Sequence, residues 1–134
     1  MIVFVTHTQT ESLTKMPFFQ RICFLLPGFV FLVAGLVLFR FPPKKINGYY
    51  GYRTARSRRD IDSWNFAQRY CAKVTIWASL ADIAVCLCAD FIAGRLGLAP
   101  SARLNCNTVV EFVSLFALVV VVLALTERAL ANRK

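Results

Sequence analysis

The apolar residues of this chain are gathered into blocks separated by charged stretches. The first block, ICFLLPGFVFLVAGLVLF from Ile22 to Phe39, carries no charge. Its eighteen or so residues match the length needed to cross a hydrocarbon core of about 30 Å. The second, VTIWASLADIAVCLCADFIA, runs from Val74 to Ala93, and the third from Val109 to Thr126. The pattern predicts helices over about 18–41, 60–97 and 107–130, joined first by a loop at about 42–59. Pro27-Gly28 is a candidate kink, and Pro42-Pro43 stop the first helix. No proline lies between Pro43 and Pro100, so the second helix can begin in the aqueous phase near Asp60, capped by Ser57 or Asp60. Gly94, Gly97 and then Pro100 end it. Gly28, Ala34 and Gly35 offer small surfaces for close helix contact. The predicted fold is one all-α integral membrane domain with three transmembrane helices, the second extending into the cytoplasm.

Composition strengthens the membrane reading. Of 134 residues, 57% are hydrophobic, and the mean hydropathy of +0.56 is too high for a soluble domain of this size. The first block is too long for a signal peptide and is followed by RFPPKK, with no small-residue cleavage site. Residues 1–15 differ from the rest, which makes the segment a candidate for disorder and Met16 a candidate alternative start; His7, the single histidine, lies here.

Net charge is +9, unevenly spread. Lys44, Lys45, Arg53, Arg56, Arg58, Arg59, Arg69 and Lys73 face only Asp60 and Asp62 between the first two blocks, whereas the next loop has Arg95 and Arg103. The positive-inside rule then places the first loop in the cytoplasm, the N-terminus outside and the C-terminus inside. Beside apolar spans, such a basic patch points to anionic lipid headgroups, not nucleic acid. Five cysteines without C-x-x-C read as small hydrophobes, so neither a disulfide framework nor a zinc site is expected. With no histidine in the spans and no nucleophile motif, no catalytic, metal or cofactor site is expected.

The loop KKINGYYGYRTARSRRDIDSW is richer than a connector needs. Its glycines permit tight turns, and its tyrosines suit the membrane interface. Arg53 can hold a phosphate or carboxylate bidentately, and Thr54 can cap a turn or share that anion. Ile61, Trp64, Gln68 and Cys71 share a helix side, putting Trp64 against lipid or the first helix as an interface anchor. Arg69 and Lys73 can snorkel to phosphates, and Trp77 reads as lipid-facing or packing.

Asn47, Gly51-Tyr52-Arg53-Thr54 and Arg56-Ser57, followed by Trp64, Ala67, Arg69 and Lys73 and then an apolar helix, resemble the SdpI/YfhL family of small bacterial integral membrane proteins. The likeness covers roughly residues 42–90. Ala55 and Ala72 stand where that family commonly has proline and glycine. The family is named for an immunity protein that protects a producing cell from its own secreted killing peptide, and some such members signal to a transcriptional repressor. The resemblance implies a non-enzymatic role of that kind, with a peptide toxin, a cytoplasmic regulator or a membrane partner as its contacts.

Three acids sit within the apolar blocks: Asp82, Asp90 and Glu111. Such charges are costly in lipid and face the bundle or water. Asp90, Glu111 and Arg95 are expected to form an outer-leaflet cluster tying the second and third helices. Asp82 has no base within a turn or two, which leaves open a cation or proton site or contact with a basic peptide. Two rival readings of the whole chain are a small membrane enzyme or carrier acting on an anionic lipid headgroup, and an accessory subunit of a larger complex. Three helices are few for a self-contained transporter, which favours self-association.

Overall fold

The computed structural model describes residues 22–133; the expectations for residues 1–15, Met16 and His7 fall outside that range. The described residues form three helices and no strand: α1 (Ile22–Arg40), α2 (Ile61–Arg95) and α3 (Pro100–Ala131). All three are long and apolar enough to cross a membrane. At about 1.5 Å per residue, the 35 residues of α2 reach about 50 Å, well beyond a hydrocarbon core.

Each boundary has a local cause. Asp60 caps α2: its carboxylate accepts from the Ser63 backbone N–H at 2.7 Å and from the Ser63 hydroxyl at 2.9 Å. At the other end Gly97 takes φ +63. The Leu98 N–H then bonds the Ala93 carbonyl at 3.4 Å, and the Gly97 N–H bonds the Gly94 carbonyl at 3.2 Å. This pair is a Schellman closure. Pro100 does not merely end α2; it opens α3, because its fixed φ suits the first helical position and its missing N–H has no helical partner there anyway. α3 therefore starts earlier than the apolar block suggests.

α1 runs antiparallel to α2 and meets it through its own glycines. A Cβ on Gly28 would lie 2.7 Å from Asp82 Oδ2 and 2.8 Å from Ile83 Cγ1, and one on Gly35 would lie 3.0 Å from Ile76 Cγ1. The two glycines are a heptad apart and so share a helix face, which lets the backbones approach closely. α3 packs along α2 but buries only Leu118, Thr126 and Leu130. Trp77 and Phe116, each 73% exposed, mark the outward apolar surface, as expected where lipid is the solvent. The core lies at the loop end, where Tyr52, Ala67, Cys71 and Leu130 meet with Leu38, Phe66 and Val122 packed against them.

Candidate functional site

The loop folds back and clamps onto the ends of α2 and α3. Asn47 begins it by bending the backbone: its Oδ1 accepts from the N–H groups of Tyr49 at 3.0 Å and Tyr50 at 2.9 Å. Its Nδ2 donates to the Lys45 carbonyl at 3.1 Å. Arg53 closes the same turn through Nη1 to the Gly48 carbonyl. Gly51 then passes at φ +100. A side chain there would meet the Gln68 amide and lie 2.9 Å from Pro43 Cγ, so glycine is required by conformation and by space.

Tyr52 is the centre of the clamp. Its backbone N–H donates to Gln68 Oε1 at 2.6 Å, and Gln68 Nε2 donates back to its carbonyl at 2.8 Å. One fully buried side-chain amide thus satisfies both backbone groups of a loop residue. The ring enters the core, and the hydroxyl donates to Glu127 Oε1 on α3 at 3.0 Å. Burial first, then the Glu127 hydrogen bond and charge, hold the Tyr52 hydroxyl protonated well above its usual range. Arg56 Nε approaches the other Glu127 oxygen at 3.8 Å, an exposed pair of little energetic weight.

Two further residues secure the loop. Buried Ser57 donates from Oγ to the carbonyls of Tyr52 at 3.1 Å and Thr54 at 3.0 Å. Thr54 caps this turn by accepting the Ser57 N–H at 3.3 Å. Trp64, expected as an interface anchor, is instead fully buried beneath the loop. Its Nε1 donates to the Pro43 carbonyl at 2.8 Å, so the indole holds the loop's first turn. The motif residues Asn47, Gly51, Tyr52, Thr54 and Trp64 are therefore brought together, whereas Arg53 stays exposed with its guanidinium on the loop's own backbone.

Arg69 belongs to a different feature. It lines an open hollow of about 740 Å³ beside the clamp with Lys44, Lys73 and Arg133, against a single acid, Asp62. The Arg133 guanidinium lies 4.3 Å from the Phe66 ring centroid, and Phe66 stacks on Tyr70. This arrangement concentrates positive charge where the apolar part of α2 begins.

The acids of the spans divide into two sites. Asp90 pairs with Arg103, whose Nη2 and Nε lie 2.7 and 3.0 Å from Oδ1, and accepts from Asn107 Nδ2 at 3.0 Å. Arg95, expected as the base here, lies over the Phe91 ring. Five residues along a helix is a rotation of about 140°, which points Arg95 away from Asp90. Glu111 lies close enough to Asp82 to feel its charge. Asp82 is 8% exposed with Oδ1 unpartnered.

Sequence reasoning left Gln68 and Ser57 without these roles and passed over Glu127. A polar amide on the same helix side as Trp64 and Cys71 was the available signal for Gln68. Glu127 carried none, because it meets the loop 75 residues away in sequence.

Three apolar, lipid-length helices with their polar loop folded onto one end define a multi-pass helical membrane protein. The chain belongs to the SdpI/YfhL protein family, whose model matches residues 44–126 and so spans nearly all of the loop, the whole of α2 and most of α3, ending one residue before Glu127. It is similar to the uncharacterized protein YfhL of Bacillus subtilis (strain 168), with 37% identity over 106 residues, covering 79% of this chain and 84% of that protein. No solved structure matches the chain.

Proposed function

We propose that this is a non-enzymatic membrane protein that senses, or gives immunity to, a membrane-active peptide. The observation that carries the reading is the clamp: the family motif is spent on joining the loop to α2 and α3 through Gln68 and Glu127. A loop held this way moves with the helix ends. A peptide that shifts α2 against α3 within the bilayer would thus change the face the loop presents, and a regulator or membrane partner can read that face. The basic residues set the loop on the cytoplasmic side, with the N-terminus outside and the C-terminus inside.

A sensitive bacterium expressing the chain should survive a membrane-active peptide better than one carrying an empty vector. Gln68→Leu at equal membrane level should lose that protection. Equal killing of all three strains across a panel of such peptides would remove the immunity reading.

The basic hollow supports a second reading, contact with anionic lipid headgroups through Lys44, Arg69, Lys73 and Arg133. Replacing Arg69 and Lys73 with glutamine should then reduce retention of phosphatidylglycerol over phosphatidylcholine during purification. Unchanged lipid retention would exclude it.

A further inference from the structure

A groove of about 510 Å³ runs between α2 and α3, away from the loop, walled by Ala78, Ala81 and Val85 on one side and Val109, Val113 and Ala117 on the other. Asp82 and Ser114 are the polar residues of its wall. The size is that of a small-molecule pocket, which characteristically combines an apolar lining with few polar groups. We propose that this groove is a binding site for a small lipophilic amine, whose alkyl body lies between the helices and whose ammonium group pairs with Asp82.

The charge balance selects the occupant. Asp82 is nine-tenths buried, is in no hydrogen bond or ion pair among the described residues, and has its Oδ1 fully enclosed without a partner there. A carboxylate in that position is expensive unless something neutralises it. Cys86 and Glu111, which lie close enough to feel its charge, supply no positive charge. Neither Ile22–Phe39, nor Val74–Ala93, nor Thr108–Thr126 contains a lysine, arginine or histidine. A second copy of the chain packed through these stretches would therefore bring no positive charge to the carboxyl group. A neutral lipid tail would fill the groove and leave the acid unpaired. An alkyl ammonium satisfies both features.

The carboxyl group is held between the groove and α1, with Oδ2 near Gly28. The terminal torsion of an aspartate is broad, so a part-turn of the carboxyl group on ligand entry would bring an oxygen to the groove. Ser114 Oγ already donates to the Glu111 carbonyl at 3.1 Å and has a long contact of 3.9 Å with Cys86 Sγ, which leaves a lone pair to accept from an ammonium. Three donors on a primary amine thus meet two acceptors on opposite walls.

The test uses the full chain in nanodiscs of phosphatidylcholine, a zwitterionic lipid, with radiolabelled dodecylammonium as the probe. Wild type should bind about one probe per chain saturably, and dodecanol should compete at least about tenfold less well than unlabelled amine. Asp82→Asn should weaken binding by about tenfold or more. Ala117→Trp, which fills the groove from α3 and leaves the carboxyl group in place, should weaken it comparably. Non-saturable uptake, equal competition by dodecanol, or binding within about twofold of wild type in either folded variant would overturn the site. If Asp82→Asn fails to fold, the alcohol competition and Ala117→Trp still decide the matter.

Discussion

Gln68→Leu removes the side chain on which the clamp turns while keeping a similar volume in the core. Both hydrogen bonds to Tyr52, at 2.6 and 2.8 Å, disappear. The Tyr52 carbonyl keeps a partner in Ser57 Oγ at 3.1 Å. The Tyr52 N–H keeps none, and it is buried. An orphaned buried donor costs about 1–3 kcal/mol, and a satisfied bond lost without an orphan about 1 kcal/mol. Apolar burial of the leucine offsets part of this, so the expected loss is about 2–3 kcal/mol. Unfolding in mixed micelles, followed by Trp64 fluorescence in a Trp77→Phe background, reads the change. Trp64 is fully buried and bonded to the loop, whereas Trp77 is 73% exposed and would report mainly on its lipid or detergent surroundings. A loss below about 0.5 kcal/mol, the range of ordinary surface substitutions, would refute the clamp as the loop's anchor.

Gly51→Ala meets both the +100 φ and the crowding at Gln68 and Pro43, and should cost about 1–3 kcal/mol in the same assay. Gly48→Ala, with nothing within 4 Å of its added Cβ, should stay within about 0.5 kcal/mol and serves as its control. Gly28→Ala should push α1 off α2, because its Cβ would lie 2.7 Å from Asp82 Oδ2, with an overpacking loss of about 1–3 kcal/mol read by the same unfolding. Asp60 has its carboxyl lowered from the usual 3.8 to about 2, chiefly by the Ser63 backbone N–H and then by Arg59. Its stabilising effect is therefore complete above pH 3.8 and lost as pH falls towards 2. Amide signals of the first turn of α2 should fray over that interval in wild type, and Asp60→Asn should show no such pH step.

Much of the scaffold was legible because the relevant signals are local. Apolar blocks of lipid length gave the helices, Ser57 or Asp60 the start of α2, and the small residues Gly28 and Gly35 the contact of α1. The missing partner of Asp82 was legible too, since a helix displays its neighbours within a turn or two. Long-range pairing was not. Tryptophan suits an interface and a core equally, and only the Pro43 carbonyl, 21 residues away, decides between them for Trp64. Arg95 is the base nearest Asp90 in sequence, whereas Arg103, 13 residues away and brought back by the α2–α3 turn, is the one that pairs with it. Pro100 carries the same residue type whether it ends one helix or begins the next. Arg53, the residue with the most suggestive chemistry in the sequence, stays exposed and folds back onto the carbonyl of Gly48 in its own loop, because a guanidinium with five donors satisfies whichever acceptor the fold places nearest.

Hydrogen exchange at the Tyr52 amide in lipid nanodiscs tests the clamp most directly. With Gln68 Oε1 accepting this N–H at 2.6 Å in a buried setting, its exchange should be slow in wild type and rise to the rate of the neighbouring exposed loop in Gln68→Leu. Fast exchange of Tyr52 in the wild-type protein would mean that the loop is not fastened to α2, and the reading of the motif as a clamp would fall with it.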